Sequence, residues 1–254
     1  MSTQIRNLLV AFLLLPLGML YSQMEKPQPY WVHEDVVKPS MVAEYEGICK
    51  ELISNMKQHN IKDMGWIATS LTDNRYLYVS QIENMASLDK PIFATLSEKM
   101  GADALAALFG RMDKCYDVEH DYVLYLDKDL SYMPEGLTQT PEGENYRRFY
   151  YMHVSPANRA DVKANVKTIK TLFASKGSKM YYRVYRSGFG TRGEFYMAAV
   201  AAVDEEDFAK KNKANIELIG DEGRKAFGAL FSSTLKNEDF TGWMRPDLYY
   251  VPTN

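Results

Sequence analysis

Apolar residues recur at helical spacing in two stretches of the chain, Val42, Cys49, Leu52 and Ile53 and, 120 positions later, Val162, Ile169, Leu172 and Phe173. Each set makes one apolar stripe, which predicts an amphipathic helix over about 39–58 and again over about 159–175. A short strand is expected before each helix, at about 29–34 and 149–154. Two more strands follow the first helix, 64–71 and 75–83, joined at the turn-forming pair Asp73-Asn74. The matching strands after the second helix are 179–187 and 193–203. Asn84 and Asp204, both good N-cap types, then introduce longer helical stretches (about 85–115 and 205–235) with breaks expected near Gly101 and Gly220. A final strand, about 120–126 and 238–244, closes each series.

The two series are copies of one unit. Tyr30-Trp31-Val32-His33 aligns with Tyr150-Tyr151-Met152-His153 at an offset of 120, and on that offset Tyr76 faces Tyr196 and Ile82 faces Ala202. The closing segments match best, at an offset of 118: Asp121-Tyr122 with Asp239-Phe240, Tyr125 with Trp243, Asp129-Leu130 with Asp247-Leu248, Tyr132 with Tyr250, and Pro134 with Pro252. Chance does not produce so long a series, and the repeat sets the architecture. The boundaries read as 29–134 for the first repeat, 135–148 for a linker with a turn-rich polar core, and 149–254 for the second repeat.

The element order βαββαβ is the ferredoxin-like split βαβ unit. A four-stranded sheet with helices on one face leaves its other face needing cover. The fold class is therefore α+β, with tandem ferredoxin-like repeats packed sheet to sheet as an intramolecular barrel. This arrangement resembles the dimeric α/β-barrel superfamily, and within it NIPSNAP-like and antibiotic-biosynthesis-monooxygenase-like domains. The resemblance rests on the element order, the strand endings Val32-His33 and Met152-His153, and the Lys38-Pro39-Ser40 entry to the first helix. It implies a fold rather than one reaction, because that superfamily spans oxygenases, isomerases, haem-handling proteins and members without known activity.

The first 22 residues read differently. Arg6 precedes the apolar run Leu8–Leu15, followed by Pro16 and Gly18, the order of a secretory signal and too short for a membrane span. Cleavage after Ser22 would leave a loose 23–28 segment and a secreted or periplasmic protein with no stable membrane span. The formal net charge of −3, or −4 once Arg6 is lost, leaves no basic surface for nucleic acid. Two cysteines, Cys49 and Cys115, make no disulfide scaffold, and Cys49 falls on the apolar stripe of its helix.

His33 and His153 are the candidate chemistry-bearing residues. If the purely apolar parity of the first strand faces the helices, Trp31, His33, Tyr151 and His153 face the barrel interior. There an imidazole is able to serve as a general base, as a haem or metal ligand, or as the polar anchor of a flat apolar ligand. The plainer reading is a structural imidazole held within the sheet. No short metal-ligand spacing exists, and no metal site is expected. Gly188-Phe-Gly-Thr-Arg-Gly193 matches a dinucleotide pattern, but Glu194-Phe195-Tyr196-Met197 continues it as a strand, so it reads as a flexible hairpin loop. Two functions remain open. One is an exported protein binding, and in one version transforming, a small apolar or aromatic ligand in the barrel, as monomer or homo-oligomer. The other is a non-catalytic structural or interaction module of the cell envelope. An open cavity beside an imidazole favours the first, and a filled barrel interior the second.

Overall fold

The computed structural model describes residues 27–252, so the expected signal segment lies outside the described residues. The first repeat comprises β1 (Gln28–Val37), α1 (Val42–Gln58), β2 (Ile67–Leu71), β3 (Arg75–Gln81), α2 (Ala94–Met100), α3 (Ala102–Met112) and β4 (Tyr116–Tyr132). The second comprises β5 (Tyr146–Val154), α4 (Arg159–Lys176), β6 (Tyr182–Ser187), β7 (Glu194–Ala202), α5 (Glu205–Ser233) and β8 (Lys236–Met244). Both expected helix breaks occur. Gly101 separates α2 from α3 at φ 93°, and Gly220 kinks α5 at φ 51°, left-handed values that favour glycine. Asp204 caps α5 by accepting from the Asp207 backbone N–H at 2.8 Å.

All eight strands form one closed antiparallel barrel in the order β1-β3-β2-β8-β5-β7-β6-β4. Each repeat contributes a four-stranded sheet, and two seams join them. At one seam β2 pairs β8 through Thr69–Met244, Ser70–Trp243 and Leu71–Gly242. At the other β4 pairs β6 through residues including Leu126–Tyr185. Glycine permits the close approach at both. A Cβ on Gly242 would lie 2.5 Å from the Ser70 carbonyl oxygen, and one on Gly190 would lie 2.5 Å from that of Asp121. The Gly188–Gly193 segment thus turns between β6 and β7 and lies against β4, with the Val123 N–H donating to the Phe189 carbonyl at 2.8 Å.

Three cores result. One fills the barrel, with Tyr30, Val32, Leu77, Tyr122, Phe149 and Met197 among its members. The others lie between each sheet and its helices. The ends of the two repeats cross over. Leu130 and Tyr132, at the end of the first repeat, pack under α4 of the second, while Leu248 and Tyr250 pack under α1 of the first. The two tyrosine hydroxyls make matching bonds: Tyr132 donates to the Ser178 carbonyl at 3.0 Å, and Tyr250 donates to the Ile61 carbonyl. This exchange extends β4 to Tyr132, six residues past the expected 126, because Tyr132 pairs with Tyr182 of the other repeat.

The structural repeat of the first strand and helix differs from the expected offset of 120. Val37 and Val154, each the last residue of its strand, are 117 apart. So are the buried pairs Tyr45/Val162, Cys49/Val166, Leu52/Ile169 and Met56/Phe173. A slip of three residues turns a helix by only about 60°, so the apolar stripe still overlaps itself. On a strand the same odd slip exchanges the two faces. The consequence falls on the histidines.

Leu130 and Leu248 are both fully buried, and replacing either with alanine is expected to cost about 2–5 kcal/mol. Each substitution is expected to lower the urea midpoint of one shared cooperative transition. Two resolved transitions, with each variant moving only one, would contradict the crossed packing.

Candidate functional site

The structure divides the four candidate residues between the two faces of the barrel wall. On β1, Tyr30 and Val32 point into the barrel, while Trp31, His33 and Asp35 point toward α1 and α3. On β5 the faces are reversed relative to that alignment: Met152 joins the helix-side core and Tyr151 lines the barrel. The expectation that His33 and Trp31 face the barrel interior is therefore corrected, since the two histidines are not equivalent positions. His153 lies near one barrel mouth, its ring 6.4 Å from Tyr151 and 5.8 Å from Phe195, with Nε2 2.7 Å from Glu238 Oε2. The barrel interior itself is nearly filled and leaves a space of about 60 Å³.

The larger space beside an imidazole is outside the barrel, between the first sheet and its helices. This cavity, about 240 Å³, is walled by Leu52, Ile53, Met64, Trp66, Phe93 and Phe109. His33 stands at its polar end between two carboxylates. Its Nδ1 is 2.9 Å from Asp121 Oδ1 and its Nε2 is 3.2 Å from Asp35 Oδ1. Nδ1 makes a hydrogen bond to Asp121, while Nε2 is close to Asp35 Oδ1 without hydrogen-bond geometry and leaves that buried oxygen without a hydrogen-bond partner. Two carboxylates thus flank the ring and favour the cation. Burial opposes the charge on His33, but the carboxylates of Asp121 and Asp35 outweigh it and push the group up to about 10.

Asp35 is 1% exposed and anchors a buried polar chain. The Tyr45 hydroxyl donates to Asp35 Oδ2 at 2.5 Å, lies 3.0 Å from the Tyr78 hydroxyl, and Tyr78 in turn sits 3.2 Å from Cys49 Sγ. Burial holds the tyrosine hydroxyls well above their ordinary range and pushes the Cys49 thiol up to about 12. Cys49 is therefore a thiol at neutral pH and no nucleophile. Cys49 and Cys115 are both free and buried. The site can donate a proton or hydrogen bond from His33 and accept one at Asp35.

Haem does not fit here. The buried Asp35 carboxylate occupies the ground in front of Nε2, and the space, about 240 Å³, lies below the roughly 300–1,000 Å³ typical of ligand pockets. Acidic groups also border it, with Asp113, Glu119 and Asp121 joining Asp35 and no Lys or Arg on the lining. A small cation is a better match to the donor set. Atoms of His33, Asp35 and Glu119 lie within 4.8 Å of one another, a grouping that Glu119 joins from β4, far from the other two in sequence. Asp121 on Nδ1 would orient the ring for a metal on Nε2, once that nitrogen lost its proton.

Asp35 had a legible signal, since it shares the strand parity of Trp31 and His33. Tyr45, Tyr78, Glu119 and Asp121 reach the site from other elements, and their convergence needs the fold. By NMR, the His33 ring is expected to remain protonated from pH 5 to 8 and to titrate near 10. Asp121→Asn is expected to lower that midpoint by about a unit or more. Because the folded value lies above the ordinary 6.5, the stability His33 contributes is complete below about pH 6.5 and is lost as pH rises toward 10. A wild-type midpoint near 6.5 would contradict the ion-pair geometry.

No protein-family model matches the sequence, and no curated protein sequence does. Solved structures do match. An anthrone oxidase-like protein superposes with a TM-score of 0.56 at 14% identity, over 87% of this chain and 92% of its own. A candidate monooxygenase from Lactobacillus acidophilus NCFM gives 0.53 at 11% identity, over 88% and 96%. A mutant chlorite dismutase from Candidatus Nitrospira defluvii gives 0.50 at 11%, over 86% and 92%. At such identities the likeness concerns the fold. The chain has the fold of the dimeric α/β-barrel superfamily, two ferredoxin-like halves forming one eight-stranded barrel within a single polypeptide.

Proposed function

We propose that this protein is exported and binds a small aromatic molecule, neutral or cationic, in the cavity between the first sheet and α1 and α3. The observation that carries the reading is an apolar, aromatic-walled space ending in the His33–Asp35 pair. Apolar walls supply affinity, and a few placed polar groups set orientation. With Asp35, Asp113, Glu119 and Asp121 around one imidazolium and no Lys or Arg on the lining, the polar end carries excess negative charge. An amine is attracted there, and a carboxylate is repelled. Trp66 and Tyr78, whose rings meet edge to face at 6.5 Å, offer faces to an aromatic body or a cation. Export is supported by the Arg6 and Leu8–Leu15 pattern, and among the described residues no helix is long and apolar enough to cross a membrane.

A second reading, a structural module of the envelope, is favoured by the nearly filled barrel interior. A matched ligand series separates the two. Indole, tryptamine and indole-3-acetate differ mainly in charge and are read by calorimetric titration. Tryptamine is expected to bind best and indole-3-acetate worst, and Asp35→Asn to weaken tryptamine about tenfold while sparing indole. If none of the three binds saturably, or if the acid binds best, the proposal fails.

A further inference from the structure

Two arginines of the second repeat point into the barrel at the mouth opposite His153. Arg147 is 1% exposed and Arg183 is 4% exposed. Burying a charge costs several kcal/mol unless opposite charge and hydrogen bonds compensate it. Arg147 has hydrogen bonds only. Its Nη1 donates to the carbonyls of Glu144 (2.6 Å) and Tyr146 (2.9 Å), and its Nη2 donates to that of Gln139 (2.9 Å). The nearby Glu144 carboxylate is taken by Lys211 at 2.7 Å. Burial, together with the like charge of Arg183, pulls Arg147 down to about 10. Arg183 lacks even carbonyl partners: among the described residues no hydrogen bond or ion pair reaches its guanidinium, whose nitrogens are not sealed off but face the open space that the side chain lines.

That unpartnered guanidinium borders two spaces. One is the inner barrel space of about 60 Å³, shared with Tyr30, Gln139, Arg147 and Tyr185. The other, about 360 Å³, lies at the mouth beneath the inter-repeat linker, walled by Met133, Tyr181 and Tyr182. On its outer rim Lys179 and the Glu144-paired Lys211 are set against Glu135 and Glu142, so the uncompensated positive charge is at the Arg183 end. Arg183 and Ala199 belong to both, so they form the boundary between inner and outer space. The linker is tied over this mouth, with Gln139 donating to the Tyr185 hydroxyl at 3.2 Å and Tyr181 donating to Glu135 at 3.1 Å. The pseudo-twofold runs along the barrel axis, and it shows that the charge is particular to the second repeat's side of this mouth. At the equivalent places the first repeat has Tyr30 for Arg147 and Ile67 for Arg183.

We propose that the linker-covered barrel mouth is an anion site, taking a carboxylate or small oxyanion on Arg183, with Arg147 as a fixed second charge and the Tyr30 hydroxyl as a further donor. The planar guanidinium fork suits either class of anion. The inner space admits only a small head group, and the outer one has room for a compact organic body. The site is separate from the His33 cavity and does not depend on its occupant.

The full chain is titrated by calorimetry with acetate, benzoate and phosphate at constant ionic strength, and crystals are soaked in bromide for anomalous scattering. The wild type is expected to bind at least one of these anions saturably, one per chain, with bromide on Arg183. Acetate or benzoate binding identifies a carboxylate site, and phosphate binding alone an oxyanion site. Arg183→Met is expected to weaken binding at least tenfold, because it removes the guanidinium that faces the anion and leaves a side chain of similar length. Tyr30→Phe, which keeps the ring, is expected to weaken binding severalfold and carries the test should the arginine variant not fold. Absence of saturable binding to the wild type, equal binding by the variants, or bromide found only on surface lysines would overturn the proposal.

Discussion

The structure depends on neither repeat being able to cover its own sheet. Each half leaves one sheet face bare and one space open beneath its helices, and the other half fills both. The bare faces close on each other as the barrel core around Val32, Phe149 and Met197. The spaces beneath the helices receive Leu248 and Tyr250 from one side and Leu130 and Tyr132 from the other. Hydrophobic burial drives both closures, while the hydroxyls of Tyr132 and Tyr250 satisfy carbonyls that would otherwise be buried without partners. The strand seams add backbone hydrogen bonds to these closures, with three paired positions at β2–β8 and five at β4–β6.

Closure also decides where chemistry is possible. A barrel of eight strands is just wide enough for side chains to fill it, and rings such as Tyr30, Tyr122, Phe149 and Tyr151 do so here. Space survives at the margins instead. One such place is under the helices of the first repeat, where His33 and Asp35 meet an apolar cavity. Another is the mouth beneath the linker, where Arg183 finds no partner among the described residues. Both break the symmetry of the repeat. His33 occupies the structural position of Tyr150, and Arg147 that of Tyr30. Divergence after duplication gives the halves different chemistry on one scaffold.

Much of the fold was legible because the closing segments repeat so clearly, down to Leu130/Leu248 and Tyr132/Tyr250. The same pairs are those exchanged between halves, so the strongest sequence signal marks the tightest structural constraint. Helix breaks at Gly101 and Gly220 were legible because glycine suits their left-handed backbone. The site was only partly legible. A three-residue misalignment is almost invisible on the α1 stripe, whose period is 3.6, but reverses the faces of β1, whose period is 2. Matching His33 to His153 was attractive chemically and wrong in register. Asp121 and Glu119 meet His33 only because β4 pairs with β1, a long-range contact that local patterns do not encode.

The central claim is that the halves complete one another. Cutting the chain once within the 135–145 loop and separating the fragments tests it most directly, with folding followed by circular dichroism and assembly by analytical ultracentrifugation. The account predicts that each fragment alone is unfolded or associates with itself, and that mixing restores a 1:1 complex with native-like melting. Two stable monomeric fragments that ignore each other would contradict it.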